Sequence, residues 1–108
     1  MWQLQRFEYM SGKVVTVAQP ASYTLEFLSD GTLRVRADCN SGAGTYKTNE
    51  DRLAIENLAM TEKACAPDSL GSQFVTGLNN AVSWVLDEGR LNINMRYDAG
   101  GMVLARPS

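Results

Sequence analysis

Between Tyr23 and Cys39 the chain alternates apolar and polar residues in two successive runs. Tyr23, Leu25 and Phe27 share one face against Thr24 and Glu26. After Ser29-Asp30-Gly31, the residues Leu33, Val35, Ala37 and Cys39 share a face against Arg34, Arg36 and Asp38. A period of two is the signature of a half-buried strand. Gly31 is able to take a positive φ, so the triplet predicts a tight turn that joins the runs as an antiparallel hairpin. On this pattern Cys39 points inward.

The remaining pattern supplies more strands and one helix. Met1 to Phe7 sets Trp2, Leu4 and Arg6 against Gln3, Gln5 and Phe7 and predicts a short edge strand. Val14, Val15 and Val17 form a β-branched segment closed by Gln19-Pro20. After Cys39 the run Asn40-Ser41-Gly42-Ala43-Gly44-Thr45 is expected to interrupt regular pairing, with a bulge or a close backbone approach at the glycines. Leu53 and Ile55 then resume the alternation, Leu58 to Cys65 has no clear period, and Ala66-Pro67 closes that segment.

Leu70, Phe74, Leu78, Ala81 and Val82 fall on one face at helical spacing, preceded by Asp68 and Ser69 as candidate N-caps. Gly71 and Gly77 each cost such a helix about 1 kcal/mol against alanine, so packing must hold it. From Ser83 the period returns to two: Trp84 and Leu86, then Leu91, Ile93 and Met95, face inward around a Glu88-Gly89 turn. Asp98-Ala99-Gly100-Gly101 makes a last loop before Met102 to Ala105. The expected architecture is α+β: a curled antiparallel sheet or partly open β-barrel of about seven or eight strands, with one helix packed in or against it.

Length and charge narrow the function. With 108 residues the chain reads as a single domain over residues 1–108. The net charge is -2, and the ten basic residues are scattered, which disfavours a nucleic-acid partner. No apolar run reaches the length of a membrane span. A charged-then-apolar leader is also missing at the N-terminus, so an export signal or a lipid anchor is expected upstream of Met1 if the protein is exported.

Catalytic chemistry finds little support. Histidine, the usual general base, is absent. The carboxylates Asp38, Glu56, Glu62, Asp87 and Glu88 are spread over strand edges and turns and read as solvated charges. Gly42 and Gly44 lack the following Lys-Ser/Thr pair and helix N-terminus of a phosphate loop. Asn40 and Thr61 are expected to satisfy backbone groups beside the cysteines, and Tyr46 to pack with its hydroxyl reaching the surface. Neither a cofactor nor a metal site is expected: Cys39 and Cys65 are far apart in sequence and lack zinc-type or CxxC spacing. Two readings of the cysteines stay open. They are buried thiols acting as small hydrophobes, or a structural disulfide, which would stabilise by roughly 3 to 4 kcal/mol and require an oxidising compartment.

Cys39-Asn40, Gly44 and Tyr46, then Leu53, Ile55, Leu58, Ala59, Thr61 and Cys65, then Phe74 and Leu78 on a helix and Leu91 on a late strand, together resemble the META domain family of HslJ-like heat-shock and envelope proteins. The resemblance runs from Trp2 to about Ala105, with Asp38 standing where the family often has glycine. It implies a β-rich envelope or secreted domain with one helix, often lipid-anchored, located in the periplasm or cell envelope rather than the cytoplasm. No enzymatic activity is implied. Members are linked to stress and antibiotic tolerance, and the fold is similar to that of type III secretion pilotins, which are binding proteins. The function this favours is a monomeric domain that binds a peptide, lipid or envelope protein in a cleft between helix and sheet, with Phe74, Leu78 and Trp84 as cleft candidates. A ligand-free scaffolding module is the alternative from a different class, and an uncharacterised enzyme is a third.

Overall fold

The structure, a computed structural model, describes residues 1–97 and 99–107. Among the described residues nine strands make one antiparallel sheet: β1 (Trp2–Tyr9), β2 (Val14–Thr16), β3 (Tyr23–Phe27), β4 (Thr32–Ala37), β5 (Asn40–Asn49), β6 (Arg52–Met60), β7 (Ala81–Asp87), β8 (Arg90–Met95) and β9 (Gly100–Ala105). One helix, α1 (Gly71–Asn79), stands between β6 and β7, and a 3-10 turn covers Pro20–Ser22. None of the described helices is long and apolar enough to cross a membrane. Asp98, placed in the last loop by sequence, lies outside the described residues; Gly100 and Gly101 belong to β9 rather than to that loop.

The barrel is closed, not partly open, and β1 is the reason. One edge of β1 pairs with β9 from Gln3↔Ala105 to Tyr9↔Gly100. Its other edge is shared end to end by β3, at Trp2 and Gln3, and β2, at Arg6 to Glu8. Eight strands thus close on themselves, with β2 as the extra one. The strand expected at an edge thus has both edges taken and pairs with three others. An irregularity between Leu4 and Arg6 turns Phe7 inward, so Leu4 and Phe7 are both buried. A bulge of this kind breaks strict alternation and is invisible to a period-two reading. The thinnest seam is between β6 and β7, joined by the single pair Arg52↔Ser83, with Trp84 N–H donating to the Asp51 carbonyl at 2.9 Å.

The glycine run does not interrupt the sheet. β5 runs through it, with a register shift between Ala43 and Thr45 against β6, where Asn57 takes a φ of 56°. Both the bulge and the close approach expected there are present. A Cβ on Gly42 would collide with the Ala59 carbonyl, and one on Gly44 would lie 2.9 Å from the Glu56 carbonyl. β6 likewise extends to Met60, through part of the segment without a clear period.

Ala37 pairs with Asn40, so Asp38 and Cys39 are the two central residues of a hairpin turn. The alternation therefore stops at Ala37, and Cys39 is exposed rather than inward. Asp38 has a φ of 62° and donates its N–H to the Ser22 carbonyl at 2.7 Å. A positive φ at the first central residue alone is the arrangement that favours glycine in a two-residue hairpin. Asp38→Gly is expected to stabilise the domain by up to about 1 kcal/mol, because relief of the left-handed strain outweighs the added freedom of the unfolded chain. A urea midpoint that falls instead of rising would reject this account of the turn.

α1 closes one end of the barrel. It is shorter than the apolar stripe predicts, since Ala81 and Val82 begin β7. Leu70 holds the N-cap position without a side-chain bond; its N–H donates to the Tyr23 hydroxyl at 2.9 Å, and Ser69 Oγ, from an expected cap, accepts the Gly71 N–H at 3.1 Å. Gly71, Phe74, Gly77 and Leu78 face the barrel and are buried. A Cβ on Gly77 would come within 2.8 Å of Met102 Sδ and 3.1 Å of Met95 Sδ. The glycine that weakens the helix in isolation is thus what lets it seat against β8 and β9. Leu86, expected to face inward, is 53% exposed near the opposite rim.

Candidate functional site

Two features flank α1 on its outer side. The first is a tie between the β4–β5 turn and the segment leading into the helix. Cys39 and Cys65 form a disulfide with a Cα–Cα distance of 5.7 Å, which sets aside the reading of two buried thiols. Asn40 reinforces the tie: its Oδ1 accepts the Lys63 N–H at 2.7 Å and the Thr61 hydroxyl at 2.9 Å, and its Nδ2 donates to the Lys63 carbonyl at 3.0 Å. Thr61 Oγ1 in turn accepts the Ser41 N–H at 3.1 Å, while the Thr61 N–H donates to the Ser41 carbonyl at 2.9 Å. Both side chains serve backbone groups of an irregular segment, the use that asparagine and threonine suit.

The second feature is a cleft of about 610 Å³ between this tied segment and the helix. Ala37 and Met60 line it beside the sheet, Ser72, Val75 and Thr76 line it from α1, and residues 61–67 form the facing wall. Ser72 and Thr76 are exposed, and Val75 is half-buried. The cleft offers hydroxyls beside short apolar side chains. It is open to solvent and brings together no cluster of acids.

A cleft between helix and sheet is therefore present, but it is not lined by the residues expected to line it. Phe74 and Leu78 are 0% exposed and point into the barrel, beyond reach of a ligand in the cleft. Trp84 lies at the other mouth. The residues missed by sequence reading, Ser72, Val75 and Thr76, share the helix face turned to the cleft at spacings of three and four, and one apolar residue between two hydroxyls makes no stripe that a sequence pattern would single out. Gly44 sits in the β5–β6 bulge. Tyr46 packs edge-on to Phe27 at 4.8 Å between centroids, and its hydroxyl donates to the Leu28 carbonyl at 2.6 Å.

At the end away from α1 a smaller cavity of about 160 Å³ opens between Trp2, Phe27, Tyr46, Leu53, Trp84 and Leu91. These residues come from the starts of β1, β6 and β8 and from the far portions of β3, β5 and β7, which is the mouth the helix leaves open. Trp84 Nε1 is buried and has no hydrogen-bond partner among the described residues. Arg106 places its guanidinium 5.1 Å from the Trp2 ring centroid.

Among the described residues no group of three or more His, Cys, Asp and Glu side chains is arranged to hold a metal ion. Asp30 accepts from the Thr32 hydroxyl at 2.6 Å and the Thr32 N–H at 3.0 Å, which holds its carboxyl below the usual range. This is local chemistry of the β3–β4 turn, on the surface and outside the lining of either cavity.

Comparison with solved structures finds the same fold in two bacterial proteins. A protein from Burkholderia xenovorans, solved by NMR, superposes with a TM-score of 0.80 at 18% identity, over 99% of this chain and 81% of that one. A DUF4847 family protein from Bacteroides vulgatus gives a TM-score of 0.66 at 18% identity, over 82% of this chain and 61% of that one. Comparison with curated proteins finds no match. The family model of the META domain matches residues 1–106. With the closed barrel, the single helix and the bonded cysteines in place over the same span, the chain belongs to the META domain family.

Proposed function

We propose that this is a non-enzymatic binding domain of the cell envelope or secreted space, which takes an extended peptide segment of a partner protein in the cleft between α1 and residues 61–67. The cleft itself is the observation that carries this reading. Its volume of about 610 Å³ is in the range of ligand sites, and the Ser72 and Thr76 hydroxyls stand beside Val75 and Met60. That mixture suits a peptide, whose backbone needs hydrogen-bonding partners, better than a lipid tail, which needs none. The location is supported by the disulfide, since such bonds persist in oxidising compartments.

The test is titration of the labelled domain with short peptides of alternating apolar and polar residues, and separately with a short-chain phospholipid, followed by amide shifts. Peptide-induced shifts are expected on Thr61 to Ser69 and the outer face of α1. Thr76→Arg, at an exposed position, is expected to weaken binding at least tenfold while leaving the melting temperature unchanged. Shifts confined to other faces, or the same affinity in Thr76→Arg, would count against the cleft.

A further inference from the structure

The mouth of the barrel differs from the cleft in both chemistry and place. Its cavity of about 160 Å³ is close to the roughly 150 Å³ of an apolar protein cavity that takes up benzene, so it matches one ring-sized group. Its walls are mostly aromatic and aliphatic, from Trp2, Phe27, Leu53 and Leu91 among others, with Thr48 as a polar side chain and, among the described residues, no charged one. The Tyr46 hydroxyl on this wall is already spent on the Leu28 carbonyl. One lining residue carries a buried polar atom with no partner among the described residues: Nε1 of Trp84, set behind the apolar surface of the wall.

A buried N–H without an acceptor is costly, and buried indoles usually find one. We propose that the barrel mouth is a second binding site, for a neutral, ring-sized apolar molecule carrying one hydrogen-bond acceptor, which the Trp84 indole turns to meet. The apolar body of the ligand fills the cavity, and the acceptor gives Nε1 the partner it lacks in the ligand-free arrangement. Ionised ligands are disfavoured because the walls offer no countercharge for a desolvated ion. A long acyl chain overfills a cavity of this size. The site lies at the end of the barrel opposite α1 and the peptide cleft, so the two stand or fall separately.

Acetophenone, a ring with a carbonyl, and ethylbenzene, a similar shape without an acceptor, are the probes, titrated into the intact labelled domain. Acetophenone is expected to shift the indole N–H resonance that disappears in Trp84→Phe, together with the Leu53 and Leu91 amides. It is expected to bind at least tenfold more tightly than ethylbenzene, a difference of about 1.4 kcal/mol. Trp84→Phe should erase that margin while still binding ethylbenzene. Leu86→Asp, at a half-exposed position on the cavity wall, should weaken both probes. An indole signal that stays still, equal affinities for the two probes, an unchanged margin in Trp84→Phe, or tighter binding of octanoate than of acetophenone would each overturn the proposal.

Discussion

Phe74→Ala is expected to lower the stability of the domain by about 3–5 kcal/mol, the range for deleting a buried aromatic side chain. Phe74 is 0% exposed and meets the Tyr23 ring edge-on at 6.2 Å between centroids. The same Tyr23 accepts the Leu70 N–H through its hydroxyl, so one aromatic pair and one hydrogen bond fix both the seat and the start of α1. Removing the ring leaves a void beneath a nine-residue helix that carries two glycines and no side-chain cap on its Leu70 N-cap. Such a helix has little stability of its own. Since small domains have about 5–15 kcal/mol in total, the urea midpoint should fall by a large fraction of its value. A loss below about 1 kcal/mol would mean that the helix is not what closes the barrel.

Opening the disulfide is expected to have the next largest effect. The loop it closes spans 26 residues, for which the chain-entropy account gives about 3.5 kcal/mol. That corresponds to a fall in Tm on the order of 15 °C. Cys39 is exposed, so reductant should reach the bond in the folded protein. The folded state should change little, because the Asn40 bonds to Lys63 and Thr61 hold the same segment without the sulfurs. Reduced protein is therefore expected to melt earlier while its Thr61 to Lys63 amide shifts stay close to those of the oxidised form. Calorimetry with and without reductant checks the first part, and NMR the second. Equal melting temperatures would show that the bond adds no constraint beyond the hydrogen bonds.

The two cavities show how differently parts of a site can be read from sequence. Asn40 and Thr61 are readable as servants of the backbone because they stand near the cysteines, Asn40 at the head of β5 and Thr61 just past the end of β6, and that chemistry is local. Phe74 and Leu78 were misread because an apolar helix stripe looks the same whether it lines a groove or a core. What separates the two cases is the Met95, Met102 and Ala37 surface pressed against Gly77 and Gly71, and none of those three residues belongs to the helix. Trp84, expected in the same cleft, is placed by its strand at the other mouth.

The alternation from Tyr23 to Ala37, the helical spacing from Leu70 to Leu78 and the turn residues at Gly31 and Gly89 were determined by sequence alone. Each depends on which side of a short segment is apolar, and neighbouring residues settle that. Closure of the barrel was decided by tertiary structure: Gln3 pairs with Ala105, and no local period records a pairing between the two ends of a chain. The bulges at Leu4/Arg6 and Ala43/Thr45 belong to the same class, since each exists to fit a partner strand. So does the positive φ at Asp38, which glycine would take more readily and the hairpin with Asn40 imposes.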